Sequence, residues 1–212
     1  MTNLKNMVNN AVAGDELFFL YSGHGTQISD ISGDELGSSG KDSVLVPTDF
    51  IVNGFILDDD IREILLQLKN GIRMIIIMDC CNSGTCCDLK YNYRDLSYNK
   101  PMANLRNYNS IEWVTQQKKI INYNYDNYNG DIFMISGCDD LQTSADTSFN
   151  GVPSGALTGI LLLILSKYKN VLSWSTLLKD LNRILKLLGY TQRPRLSAGK
   201  DINLRLNVFP MQ

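Results

Sequence analysis

Four of the chain's five cysteines fall within "IIIMDCCNSGTCCDL", residues 75–89, as the adjacent pairs Cys80–Cys81 and Cys86–Cys87, and the only histidine, His24, stands in "YSGHG". Thiols this dense suit three chemistries: metal ligation, redox exchange, or nucleophilic attack by one thiol of the set. Zinc asks for four ligands, usually in pairs separated by two to four residues. Neighbouring side chains at a strand end point to opposite faces, so Cys80 and Cys81 do not readily share a metal. Adjacent cysteines are also poor disulfide partners, and an odd total leaves one thiol over. Nucleophilic attack fits best, and a thiol at neutral pH needs help to ionise, most often from an imidazole.

The elements around these residues set their positions. The run "IRMIIIMDCC" is continuously apolar and β-branched, as expected of a parallel strand covered on both faces. Its alternation puts Ile75, Ile77, Asp79 and Cys81 on one side, and Met74, Ile76, Met78 and Cys80 on the other. Asp79 and Cys81 therefore share a face at a carboxyl end, where parallel α/β sheets bind their ligands, while Cys80 turns toward the packing. "LFFLYSG" reads as a second buried strand, with His24 just past its end between glycines that permit close backbone approach. Should the two strands be neighbours, His24 and Cys81 meet across one cleft.

A chain of 212 residues, 44% hydrophobic and 20% charged, has the composition of one globular domain, expected over 1–212. A formal charge of -2 does not favour nucleic acid or anionic membranes as partners. "MTNLKNMVNN" lacks a signal peptide's apolar core and "GALTGILLLIL" is too short to span a bilayer, so a reducing, cytoplasmic setting is expected. Thr2 is a potential cap for a first short helix. Thr26–Lys41 reads as a loop before the strand "SVLVP", and "LDDDIREILLQLKNG" as an amphipathic helix ending before Gly71. About 91–130 the chain turns Asn/Tyr-rich, a long flexible insertion with at most a short helix around "SIEWVTQQKKI". The strand "DIFMISG", an apolar helix around "SGALTGILLLILSKY", a helix ended by Gly189, and a final strand "INLRLNVF" complete the pattern. Alternating strands and helices predict an α/β sandwich on a mainly parallel sheet.

In order, "GDELFFLYSGHGTQ", "SGDE", "VPTDF", "ILDDDI", "GIRMIIIMDCCNSGT", "SGCDDLQTSAD", "GALT", "LLKDLNRIL" and "YTQRPRLSAG" resemble successive motifs of the metacaspases, caspase-like cysteine peptidases. The resemblance covers nearly the whole chain except the Asn/Tyr-rich insertion. It implies a three-layer caspase-like α/β/α sandwich and an endopeptidase cutting protein or peptide substrates after Arg or Lys. His24 would be the general base and Cys81 the nucleophile, with N–H groups of Gly25 and Cys81 forming an oxyanion hole. Asp79, with Ser22, would bind the substrate's basic side chain. Calcium, the one expected cofactor, would activate through Asp42, Asp58, Asp59 and Asp88, hard oxygen donors suited to that ion; the first-turn acids Asp58 and Asp59 equally suit a helix dipole. Lys90, Arg94, Lys100, Arg106, Lys118 and Lys119 mark where such an enzyme would cut itself.

The sequence departs from the family twice. Asn82 stands where metacaspases usually carry His, a position that is not the base. The first β-α-β elements of the fold are expected to be missing, which would leave "LFFLYSG" at an exposed sheet edge open to another chain. The alternative from a different class is a catalytically silent caspase-like binding or regulatory protein.

Overall fold

A computed structural model describes residues 1–29, 41–81, 86–95, 117–121, 126–137, 146–149, 152–168 and 171–209. Helix α1 (Thr2–Asn10) leads into strand β1 (Glu16–Ser22) and the antiparallel pair β2 (His24–Ser29) and β3 (Lys41–Val46). The one-turn α2 (Phe50–Asn53), the short β4 (Ile56–Leu57) and α3 (Asp58–Leu65) precede β5 (Arg73–Asp79). Next come β6 (Tyr91–Asp95), β7 (Gln117–Ile121), β8 (Asp131–Ser136), β9 (Asp146–Phe149) and β10 (Val152–Gly155). Helices α4 (Ala156–Tyr168) and α5 (Trp174–Leu187) and strand β11 (Arg195–Ala198) complete the order.

The main sheet runs β1-β5-β8-β11-β6-β7. β1, β5 and β8 pair in parallel, whereas β11, β6 and β7 join antiparallel. β6, antiparallel to the reversed β11, runs with the first three, so most of the strands share one direction. The residues of β5 divide as their alternation predicts. Met74, Ile76 and Met78 pack with Leu4 and Val8 of α1 and Ile61 and Leu65 of α3. Ile75 and Ile77 pack on the other face with Leu157 and Ile160 of α4 and Leu177 and Leu181 of α5. Burial on both faces explains the unbroken apolar run, since no position of β5 between Met74 and Met78 meets solvent. Helices on both sides of a mixed, mostly parallel sheet make the caspase-like three-layer α/β/α architecture.

Several local expectations are corrected. Thr2 lies inside α1, whose cap position is Met1 with no capping side chain. The stretch expected as loop from Thr26 begins as β2, and His24 is that strand's first residue. Within the expected insertion, Tyr91–Asp95 and Gln117–Ile121 pair with each other and extend the sheet, so Gln117–Ile121 is strand rather than helix. "INLRLNVF" is turn and irregular backbone, held by an isolated bridge, Ser173 to Asn207, and by backbone hydrogen bonds of Leu204, Leu206 and Val208 to Ser175, Trp174 and Leu172. The last strand is instead "RLSA", which follows a proline and is too short to show a period. Pairing of β11 with β8 and β6, and of β7 with β6, decides the last of these, because strands gain stability from cross-strand pairs that local sequence does not reveal.

Candidate active site

β1 and β5 pair in parallel with Ser22 opposite Asp79, so His24 and Cys81 each stand two residues beyond the same rung. The ladder continues one step further, where Gly23 N–H donates to the Asp79 carbonyl at 3.2 Å. Tyr21 then fixes the turn: its hydroxyl donates to the carbonyls of His24, 2.9 Å, and Val46, 3.1 Å. Gly25 presses against the backbone of Cys81, and a β-carbon built on it would lie 2.3 Å from the Cys81 carbonyl oxygen and 3.3 Å from Cys80 Sγ. Only glycine fits so close an approach. His24 is exposed and Cys81 is partly exposed, at the carboxyl rim of the parallel strands.

Cys80, Cys86 and Cys87 are buried among Met74, Met78 and Met134. Cys80, Cys81, Cys86 and Cys87 are in no disulfide, and Cys138 lies outside the described residues. Burial pushes the Cys86 and Cys87 thiols up, and Asp58 and Asp88 beside both add to it. Both thiols therefore stay protonated at neutral pH. Iodoacetamide is expected to alkylate Cys81 in the native protein while sparing Cys80, Cys86 and Cys87, as read by peptide mass spectrometry; equal labelling of Cys86 would contradict its burial. Acids whose folded pKa is raised stabilise the fold fully below the unfolded value and lose that contribution as pH climbs toward the folded one. For these thiols the loss begins near the ordinary 9.0. Tyr93 and Tyr128, also raised mainly by burial, push in the same direction from 10.0, so urea unfolding should show stability falling above pH 9.0.

Asp79 is buried beside this rim, not solvated. Its Oδ2 accepts from Thr158 N at 2.8 Å and Thr158 Oγ1 at 2.7 Å in the first turn of α4. A β-carbon on Gly155 would sit 2.0 Å from the same oxygen, so the carboxylate seats directly on that glycine. α4 has no acidic residue in its own first turn, and Asp79 supplies a negative charge where the helix dipole favours one. Gly155 and Thr158 were not among the expected site residues; the missing first-turn acid of "SGALTG" was the one available hint. Ser22 lies exposed at the end of β1, level with Asp79.

The four expected calcium ligands come from three separate segments of the chain's first half. Asp42 on β3, Asp58 at the start of α3 and Asp88 are all buried, while Asp59 is partly exposed. Asp58 accepts through Oδ2 from Ser43 N at 2.8 Å and through Oδ1 from its neighbour Asp59 N at 3.1 Å. Asp59 pairs with Arg62 at 3.4 Å, and Arg62 also binds Asp126. Asp88 holds a left-handed backbone, φ 46°, unusual for any residue but glycine and asparagine or aspartate. Hard carboxylate oxygens are the right donors for calcium. Among the described residues, however, no three carboxylate, imidazole or thiol groups converge as a ready ligand set.

A histidine just past β1 and a cysteine just past its parallel neighbour β5, on the rim of a three-layer α/β/α sandwich, fit the caspase-like class of fold. A crystal structure of a Geobacter sulfurreducens protein shares that fold, with a TM-score of 0.62 over 99% of this chain and 75% of its own, at 24% identity. Residues 1–90 match the metacaspase, peptidase C14 domain. Over 94% of its length the chain is 34% identical to Metacaspase-1 of Kluyveromyces lactis, covering 52% of that protein. It is 38% identical to Metacaspase-3 of Trypanosoma cruzi over 92% of its length and 52% of the relative's. The chain belongs to the metacaspase family, and spans about half the length of these curated relatives. Among the described residues no helix is long and apolar enough to cross a membrane.

Proposed function

We propose that the chain acts as a calcium-stimulated cysteine endopeptidase cutting after Arg or Lys. The observation that carries this reading is the seating of Gly25 on the Cys81 backbone, which brings the strand end bearing His24 against the one bearing the thiol. In the proposed cycle His24 takes the Cys81 proton as sulfur attacks the scissile carbonyl. N–H groups of Gly25 and Cys81 stabilise the oxyanion. His24 then hands its proton to the departing amine, and water releases the acyl group from sulfur with His24 again as base. Asp79, buried at the same rim, is the anion for the substrate's guanidinium or ammonium, with Ser22 beside it.

Asp42, Asp58, Asp59 and Asp88 would hold calcium, which would supply positive charge beside carboxylates of which three are buried. Self-cleavage is expected after one of the six basic residues Lys90 to Lys119, of which Lys100 and Arg106 lie outside the described residues. Lys90, Arg94, Lys118 and Lys119 remain candidates beside them, with Arg94, Lys118 and Lys119 in paired strands. The test compares fluorogenic peptides ending in Arg, Lys or Asp, with and without millimolar calcium, alongside intact mass. Calcium-dependent cleavage of the basic peptides alone supports the reading. A calcium-independent Asp preference, or a calcium response in melting temperature and activity that survives Asp59→Ala, would overturn its parts.

β1 is the sheet's edge among the described residues, and Phe18 and Leu20 are 53% and 42% exposed on it. We infer that a strand of another chain completes this edge, hiding its open backbone groups and these side chains. Light scattering should then show an assembly larger than one chain that Phe18→Glu dissolves; a monomer at every concentration tested sinks the idea.

A further inference from the structure

Where β5 and β8 begin, at the end of the sheet opposite His24 and Cys81, lies a cavity of about 530 Å³ lined in part by Arg73, Phe133, Trp174, Lys200, Asn203 and Leu206. β5 spans seven residues, so this cavity lies roughly 20 Å from the cysteine rim. That volume is ordinary for a small-molecule site. Its floor is aromatic: the rings of Phe133 and Trp174 stack at 4.8 Å with 21° between their planes. Arg73 lies against both, its guanidinium carbon 4.8 Å from the Phe133 centroid and 5.8 Å from that of Trp174.

The donors of Arg73 are largely unused. Nη1 donates to Glu16 Oε1 at 2.8 Å, and among the described residues no protein acceptor meets Nε or Nη2. Yet only 14% of the side chain is exposed. A guanidinium in a mostly apolar cleft, with nitrogens free of protein acceptors and open to the cavity, can take the oxygens of an anion. The surrounding charge sets the size of that anion. Lys200 is committed to Asp131 Oδ1, 2.8 Å, and to the Asn129 carbonyl, 2.7 Å. Asp131 and Asp201 also line the cavity, and Glu16 already pairs with Arg73. With Lys119 paired to Asp201 at 2.7 Å, three cations balance three acids, and surroundings this close to neutral disfavour a dianion more strongly than a monoanion.

We propose that this cavity binds a small aromatic monocarboxylate, its ring on Trp174 and Phe133 and its carboxylate on Arg73. The site is independent of peptide hydrolysis, and so is its test. With Trp113→Phe in place, Trp174 is the one remaining tryptophan and reports directly on the cavity floor. Phenylacetate should change its emission saturably. Phenylacetamide, of the same shape without charge, should bind about tenfold more weakly or worse, and inorganic phosphate should not compete. Arg73→Gln should weaken phenylacetate by a similar factor. Leu206→Tyr crowds the cavity from a side chain that is 60% exposed, so it leaves the core intact and should also block binding. Equal binding of acid and amide, a linear collisional response, or full binding by either variant would overturn the proposal.

Discussion

Replacing Gly25 by alanine is expected to lower kcat on an Arg-terminated peptide by about a hundredfold or more, close to the complete loss expected for Cys81→Ala. The reason is steric. The added β-carbon would stand 2.3 Å from the Cys81 carbonyl oxygen, a separation that real β-carbons essentially never show. The neighbour cannot swing away as a flexible side chain would, because it is backbone. Nor can the strand ends part freely, since Gly23 donates to the Asp79 carbonyl and Tyr21 ties His24 to Val46. The strain therefore falls on the relation between the two strand ends that the proposed thiol and base depend on, and on the N–H of residue 25. Circular dichroism and melting temperature, measured beside kcat, separate a damaged site from an unfolded chain. Should Gly25→Ala keep activity within about threefold of the parent, the close approach is not what the chemistry uses.

The second large effect concerns Asp79. Asp79→Asn keeps the size of the side chain and an oxygen able to accept from Thr158, but removes the charge. For a peptide ending in Arg, kcat/KM is expected to fall about a hundredfold, as happens when one partner of a buried charge pair is neutralised. Since Asp79 also sits at the start of α4, a positional role has to be separated from a recognition role. Thr158→Val makes that separation: it deletes the 2.7 Å bond from Oγ1 and keeps the 2.8 Å bond from the backbone. Its expected cost is about 1 kcal/mol of stability, with the preference for basic peptides retained. Gly155→Ala goes the other way, forcing the carboxylate off its seat, and should lose both stability and activity. If Asp79→Asn leaves the Arg and Lys peptides cut at parental rates, specificity resides elsewhere.

Both variants turn on residues whose types were visible from the start while their partners were not. Residues far apart in sequence, such as Gly155 and Thr158 around Asp79, carry no local periodicity or cap that announces the contact. The four aspartates proposed for calcium show the same limit from another side: their types are easily recognised, yet they come from β3, α3 and the segment after Cys87, and among the described residues no three ligating groups converge.

The chain's own order of residues determined the central features. The unbroken β-branched run of β5 requires cover on both faces, and its alternation assigns Asp79 to one face and Cys80 to the other, because side-chain direction follows from the pleat alone. The amphipathic helix stopped at Gly189 is a local consequence of the same kind, whereas α3 ends at Leu65, short of the expected Gly71. Only the tertiary structure decided that β1 lies beside β5 in the register that levels His24 with Cys81, and that Asp79 docks under α4. It likewise decided that residues from the Asn/Tyr-rich stretch become strands. Pairing across a sheet is a contest among distant segments for backbone partners and buried area, and no window of sequence contains both contestants.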